Sequence, residues 1–170
     1  MISAILLDSG DTLVDEGSQV FGEGELVLRA ELIPGAGELL RELQRRGYRL
    51  GLVADGLEQS FRNVLGAQHG LYDLFDAHAI SERVGQSKPH PAMFETALAQ
   101  LGILRAEYGR VLMVGNHLER DICGANRLGL VSVWLDWAPR RSKVPANNCE
   151  VPSYTIRTPL ELLDVLAEFG

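Results

Sequence analysis

Short apolar runs alternate with amphipathic helical stretches along the whole of this 170-residue chain. Ile2 to Leu7, Arg49 to Ala54, Ala77 to Ile80, Arg110 to Val114, Leu130 to Trp134 and Tyr154 to Ile156 read as strands. Gly35 to Arg46, Leu57 to Gln68, Pro91 to Leu101 and Arg120 to Leu128 read as the helices between them. In the third helix, Phe94, Ala97, Leu98 and Leu101 fall at i, i+3, i+4 and i+7, one apolar stripe. A last helix opens at Thr158-Pro159-Leu160-Glu161, where Thr158 and Glu161 suit a capping box and Pro159 the first turn. Strands buried on both faces and separated by helices imply a mostly parallel sheet. The expected fold class is therefore α/β, a single doubly wound, Rossmann-like domain over residues 1–170 with helices on both faces of the sheet.

Composition narrows the function classes. A hydrophobic share of 46% and a charged share of 23% are those of an ordinary globular protein. The net charge of -7 provides no electrostatic footprint for nucleic acid or an anionic membrane. No apolar run approaches the roughly 20 residues needed to span a bilayer. The N-terminal segment lacks the basic flank and cleavage site of a signal peptide. Two cysteines make no disulfide framework, so Cys123 is read as a small buried apolar residue and Cys149 as a loop thiol. These readings together predict a cytoplasmic protein. His69 and His78 have no motif around them and are read as structural. The polar, proline-containing stretch from Arg140 to Pro152 is read as a loop.

Three strand ends carry polar groups. The first apolar run stops at Asp8 and continues as Ser9-Gly10-Asp11-Thr12-Leu13, a tight loop. The second ends in Ala54-Asp55-Gly56, and the fourth in Gly115-Asn116-His117, with Asp121 five residues past Asn116. In a parallel sheet these ends share one edge, where open α/β folds bind ligands. A charge at such a place is costly without a cation or hydrogen bonds to offset it. Carboxylate and amide oxygens converging there suit a hard cation such as Mg²⁺ rather than zinc. Separately, Ser87-Lys88-Pro89-His90-Pro91 sets a lysine before a helix start, a place that favours anions.

In this order and spacing the segments resemble the four motifs of the haloacid dehalogenase-like (HAD) hydrolases, which are mostly phosphatases. The first loop of that family usually reads D-x-D-x-T-L. Gly85 to Phe94 resembles its G-x-x-K-P-D-P-x-x-F signature, with His90 in place of Asp, and Asp121 to Gly129 its D-I-x-G-A-x-x-x-G pattern. Ile33-Pro34-Gly35 with Leu39, Leu40 and Leu43 matches the helix leading into the second motif. The resemblance implies that Asp8 attacks phosphorus to form an aspartyl-phosphate. It further implies that Lys88 neutralises charge, and that Ser9, Gly10, Asp55 and Lys88 bind phosphate. Asp8, the Gly10 backbone carbonyl, Asn116 and Asp121 would hold Mg²⁺.

The chain departs from the pattern at three places. Gly10 replaces the aspartate that acts as general acid and base, a group commonly worth about 10²–10⁴ in rate. Ala54 replaces a hydroxyl residue that binds a phosphate oxygen, a bond worth about 1.5–3 kcal/mol to a charged partner. Asn116 replaces a metal-binding aspartate. Asp11, one position late, is the nearest candidate acid, with the alternative that it only caps its turn. His117 is read as a loop histidine, Asp55 with Glu58 as a helix N-cap pair, and His90 as the start of a helix.

Many relatives carry a cap domain between the first two motifs. Here residues 14–32 form only a short insert in its place, with Glu23 to Leu32 expected as one short helix. An open site accepts a large phosphorylated substrate or is covered by a neighbouring copy in a homo-oligomer. Trp134 and Trp137 are read as packing on the sheet edge, with lining of an opening or an interface as the alternative. Two functional readings stand. One is an Mg²⁺-dependent phosphatase of low or specialised activity. The other is a catalytically lapsed domain that binds a phosphorylated ligand or a protein partner.

Overall fold

A computed structural model describes residues 1–170. Its strands are β1 (Ala4–Leu7), β2 (Val20–Phe21), β3 (Val27–Arg29), β4 (Arg49–Ala54), β5 (Ala77–Ile80), β6 (Val111–Gly115), β7 (Val131–Leu135) and β8 (Tyr154–Ile156). Its α-helices are α1 (Ala36–Arg45), α2 (Glu58–Phe61), α3 (Ser81–Val84), α4 (Pro91–Gln100), α5 (Cys123–Leu128) and α6 (Leu162–Ala167). Six strands form one parallel sheet in the order β5-β4-β1-β6-β7-β8. The chain winds outward from β1 through β4 to β5, then returns to β6 on the other side and continues to β8. The winding reverses beside β1, and such a reversal opens a crevice at the carboxyl end of the central strand. Asp8 follows β1 directly.

Alternation within β1 divides the core into two layers. Ile5 and Leu7 face Leu39, Leu40 and Leu43 of α1 and Leu162 of α6. Ala4 and Leu6 face the other way, onto Phe94, Ala97 and Leu98 of α4. The stripe expected on α4 is thus the face that packs on the sheet. Each large apolar side chain removed from water here contributes about 1.5–3 kcal/mol.

Two segments depart from expectation. Glu23 to Leu32 is not a helix: it holds β3, paired antiparallel with β2 in a hairpin. Gly24 turns the chain with φ +61, and Val20, Phe21 and Val27 favour extended backbone over helix. The free edge of the hairpin is tied to side chains on and after α2. The Val27 N–H donates to Ser60 Oγ (2.9 Å), Asn63 Nδ2 donates to the Val27 carbonyl (3.0 Å), and the Ala30 N–H donates to Gln68 Oε1 (3.0 Å). His69 Nε2 meets the Ala30 carbonyl at 2.8 Å, and His78 stacks on Tyr72 with ring centroids 4.2 Å apart, so both histidines are structural. Beyond α2 the backbone widens into π-helical turns over Arg62–Gln68.

The cysteines are not free. Cys123, at the start of α5, and Cys149, in a short 3-10 turn, form a disulfide across 26 residues of chain. Sequence spacing had no way to reveal this, because the pair meets only through the fold. Asn126 Nδ2 reinforces the link by donating to the carbonyls of Cys149 and Val151, each at 2.8 Å. Closing a loop of this size contributes about 2–4 kcal/mol, chiefly by restricting the unfolded chain. Cys149→Ser is expected to lower the free energy of urea unfolding by about that amount. Equal unfolding midpoints for both proteins under non-reducing conditions would contradict this.

Candidate active site

The loop after Asp8 is built around one carbonyl. Ser9 O accepts from the N–H groups of Thr12 (3.2 Å), Leu13 (2.8 Å) and Val14 (3.0 Å), which folds the chain sharply back after Asp8. Asp11 takes φ +53 in this turn, a conformation in which a short polar side chain is tolerated better than most. The Asp8 N–H continues the sheet by donating to the Val114 carbonyl (3.0 Å). Thr12 Oγ1 donates to Asp8 Oδ2 (3.1 Å) and holds the carboxylate toward the crevice.

Lys88 enters from the loop before α4 and is almost fully buried. Its backbone N–H donates to Asp55 Oδ1 (3.0 Å). Its Nζ donates to Asp8 Oδ1 (2.6 Å) and to the Val53 carbonyl (2.8 Å). Asp121 Oδ1 lies 2.7 Å from the same nitrogen, within ion-pair distance but outside hydrogen-bond geometry, and no other group satisfies it. Asp121 reaches this point because β6 ends in glycine. A Cβ on Gly115 would fall 2.3 Å from Asp121 Cγ. The His117 N–H donates to Asp121 Oδ2 (3.0 Å) and orients the other oxygen.

Two buried carboxylates therefore face one ammonium. Burial raises the Asp8 carboxyl above its ordinary value of 3.8, the Asp121 charge raises it further, and Lys88 opposes both. Burial by itself would push the Lys88 ammonium down, but Asp121 and Asp8 hold it above the ordinary lysine range. The excess negative charge of two carboxylates about one ammonium is what a divalent cation would relieve. Asn116 adds an amide whose Nδ2 is placed against the Gly10 carbonyl and 3.3 Å from Thr12 Oγ1. Amide orientation is assigned from the hydrogen-bond network, and the other rotamer would present Oδ1. With the amide in that other orientation, Asp8, Asp121, Asn116 and the Gly10 carbonyl would make an all-oxygen donor set of the kind Mg²⁺ takes.

Other expected residues are placed differently. Asp11 is fully buried and turned to the C-terminal half of the chain. Arg140 Nε and Arg141 Nη2 each lie 3.0 Å from its Oδ2, Arg140 Nη2 contacts Oδ1, and the Glu16 N–H donates to Oδ1 (3.1 Å). A carboxylate enclosed in this way by two guanidinium groups and a backbone N–H has no free oxygen to offer a substrate. The reading of Asp11 as an acid is corrected on this ground. Asp55 caps no helix: Leu57 stands at the start of α2, and the Asp55 carboxylate serves the Lys88 backbone, with Arg120 at 3.8 Å. His90 does start α4, its Nδ1 accepting from the Ala92 N–H (3.2 Å). Trp134 Nε1 donates to the Asn116 carbonyl (3.0 Å), and its ring packs on Leu118 and Ile122.

Asp8, Ser9, Gly10, Ala54 and Lys88 line a cavity of about 210 Å³. The hairpin contributes Val27, and the stretch on and beyond α2 contributes Phe61 and Val64, which form an apolar wall opposite the charged floor. Among the lining residues without a sequence signal are Glu16, Gln19 and Arg141. Glu16 sits in the insert, and Arg141 in a polar loop 125 residues away that pairs with it. Burial raises the Glu16 carboxyl, Arg141 opposes the rise, and Asp11 and Asp8 add to it. Burial pushes the His117 imidazole down, and Arg120 and Arg141 push it further.

The charge imbalance has a consequence for stability. Since folding raises the Asp8 pKa, the folded state binds that proton more tightly than the unfolded chain does. Ionised Asp8 then destabilises the fold, by nothing below about pH 3.8 and by more as pH rises toward the folded pKa. Asp8→Asn is expected to raise Tm at pH 7 in metal-free buffer and to leave it nearly unchanged at pH 3. A lower Tm at pH 7 would mean that the Lys88 contact outweighs burial.

A model of the haloacid dehalogenase-like hydrolase family matches residues 2–129. A glyceraldehyde 3-phosphate phosphatase of Methanopyrus kandleri is 36% identical over 131 residues, 77% of this chain and 54% of that protein. A phosphoserine phosphatase of Thermus thermophilus is 38% identical over 109 residues, 64% of this chain and 42% of that protein. The chain thus spans about half the length of the curated relatives it matches. Among solved structures, a HAD phosphatase from Thermococcus onnurineus shares the fold with a TM-score of 0.78 at 21% identity, covering 97% of this chain and 98% of its own. The magnesium-bound HAD-hydrolase YfnB of Bacillus subtilis aligns with a TM-score of 0.68 at 29% identity, over 80% of this chain and 56% of its own. With the match extending over three quarters of its residues, the chain belongs to the haloacid dehalogenase-like hydrolases.

Proposed function

We propose that this protein is an Mg²⁺-dependent phosphatase that hydrolyses phosphate monoesters through an aspartyl-phosphate on Asp8. The observation that carries the reading is the Asp8–Lys88–Asp121 cluster at the carboxyl edge of the sheet. Asp8 is held on one side by Thr12 and on the other by Lys88, so one carboxylate oxygen has a fixed line of approach into the cavity. Lys88 offsets the charge of the incoming dianion. Bound to the oxygens of Asp8, Asp121, Asn116 and Gly10, Mg²⁺ would supply charge neutralisation for the phosphate. Supporting this are the phosphatases among the similar proteins and the magnesium-bound YfnB structure.

The cavity volume and its apolar wall favour an ester with a compact, partly apolar alcohol. We propose that residues 1–170 act as one domain, with residues 14–32 closing part of the site in place of a cap. Val20, Phe21 and Leu28 of the hairpin are exposed, a surface that a second copy would cover; size-exclusion chromatography at two concentrations tests this. No helix is long and apolar enough to cross a membrane. Against the cytoplasmic placement stands the disulfide, since such bonds are uncommon in reducing compartments.

Ala54 favours the second reading, a lapsed domain that binds phosphorylated ligands. Its methyl lines the cavity where a hydroxyl would hold a phosphate oxygen. The missing bond corresponds to roughly a factor of 10–100 in rate, which slows an enzyme without silencing it. A panel of phosphate monoesters with Mg²⁺ separates the two. Wild type is expected to release phosphate at least 100-fold faster than Asp8→Asn on some ester, and to lose this activity with EDTA until Mg²⁺ is restored. Wild-type rates equal to Asp8→Asn throughout would leave binding as the function.

A further inference from the structure

We propose that Glu16 is the proton donor and acceptor of this site, a role that rests on the phosphatase reading. Transfer of a phosphoryl group from an alkyl ester leaves an alkoxide unless a proton arrives with the breaking bond. The group that supplies it must stand beside the nucleophile, face the cavity and keep contact with solvent. Glu16 meets these conditions. It leaves the short turn Glu16–Ser18 just after the nucleophile loop and folds back over Gly10, so that a Cβ built on Gly10 would lie 2.0 Å from Glu16 Oε1. The carboxylate thus occupies the space that a side chain at position 10 would take. It lines the same cavity as Asp8 and Lys88, and its side chain remains 35% exposed.

The other acidic groups are committed elsewhere. Asp121 is sealed against Lys88, Asp55 serves the Lys88 backbone, and Asp11 is enclosed by Arg140 and Arg141. Glu25 also lines the cavity, but it stands exposed in the hairpin turn, and Glu16 is the carboxylate that lies against Gly10. Arg141 contacts the Glu16 carboxylate and acts as its positioning residue, while the Glu16 N–H is anchored on Asp11.

The steps balance with this single residue. Asp8 Oδ attacks phosphorus, the bond to the ester oxygen breaks, and that oxygen takes the proton of Glu16 as the alcohol leaves. Water then attacks the aspartyl-phosphate and gives its proton to the Glu16 carboxylate. The phosphorus–Asp8 bond breaks, its electron pair returns to Asp8, and inorganic phosphate departs.

Leaving-group chemistry provides the test. With Mg²⁺ present, Glu16→Gln is expected to lose about 100-fold or more on alkyl phosphates. It should react nearly as fast as wild type in the first turnover of 2,4-dinitrophenyl phosphate, whose anion leaves without a proton. Lacking the base for the second step, it should then accumulate covalent phosphoenzyme, seen by intact mass as one added phosphoryl group. Restoration of alkyl-phosphate turnover by Gly10→Asp in a Glu16→Ala background would support the shared space. Equal losses on both ester classes with no trapped intermediate would overturn the proposal, as would a trapped intermediate in His117→Gln but not in Glu16→Gln. Failure of wild type to exceed Asp8→Asn on any ester would instead overturn the phosphatase reading beneath it.

Discussion

Everything at this sheet edge depends on one buried ammonium. Lys88 binds the carboxylate after β1, the carbonyl of Val53 in β4 and the ion-pair partner that follows β6, while its own backbone is fixed by Asp55. Three separate connections are drawn together by a single side chain. Two unit charges 4 Å apart near a protein surface interact by about 4 kcal/mol, so Asp8 and Asp121 would repel strongly without it. Lys88 converts that repulsion into a locked arrangement, although one negative charge remains in excess. The residual charge keeps the site receptive to a cation and makes it a local cost to the fold.

The site departs from its family in more than one place, and the departures form a pattern. Gly10 removes a side chain from the nucleophile loop, and Glu16 fills the vacated volume from outside that loop. Asn116 removes a charge from the metal-ligand set but keeps an oxygen. Only at Ala54 is a hydrogen-bonding group removed with nothing near it supplied in exchange. On the proposed reading, nucleophile, lysine and metal ligands are kept, and proton transfer is reassigned along the chain to Glu16.

Much of this was legible in the residues. The period-2 alternation of Ile5 and Leu7 against Ala4 and Leu6, and the helical stripe through Phe94 and Leu98, are local signals that tertiary packing follows directly. Asp8, Lys88 and Asp121 were recognisable because each stands at a strand end or helix start with fixed spacing to apolar neighbours. What escaped was decided by contacts distant in sequence. The hairpin leaves no strand pattern in the sequence because its free edge is paired with the side chains of Ser60, Asn63 and Gln68. The disulfide, the Asp11 clamp and the placement of Glu16 each need a partner 26 or more residues away, or the shape of a loop that no short pattern encodes.

The clamp on Asp11 carries a last consequence. This fully buried carboxylate sits in the turn that aims Asp8, and its cations arrive from a loop 129 residues later in the chain. A carboxylate stripped of its partners in such a place is among the costlier defects a fold can hold. The turn after Asp8 therefore lacks its counter-charges until residues 140 and 141 have been added, however complete β1 is by then. The geometry of the candidate site thus depends on the last fifth of the chain and not only on the segment that carries Asp8.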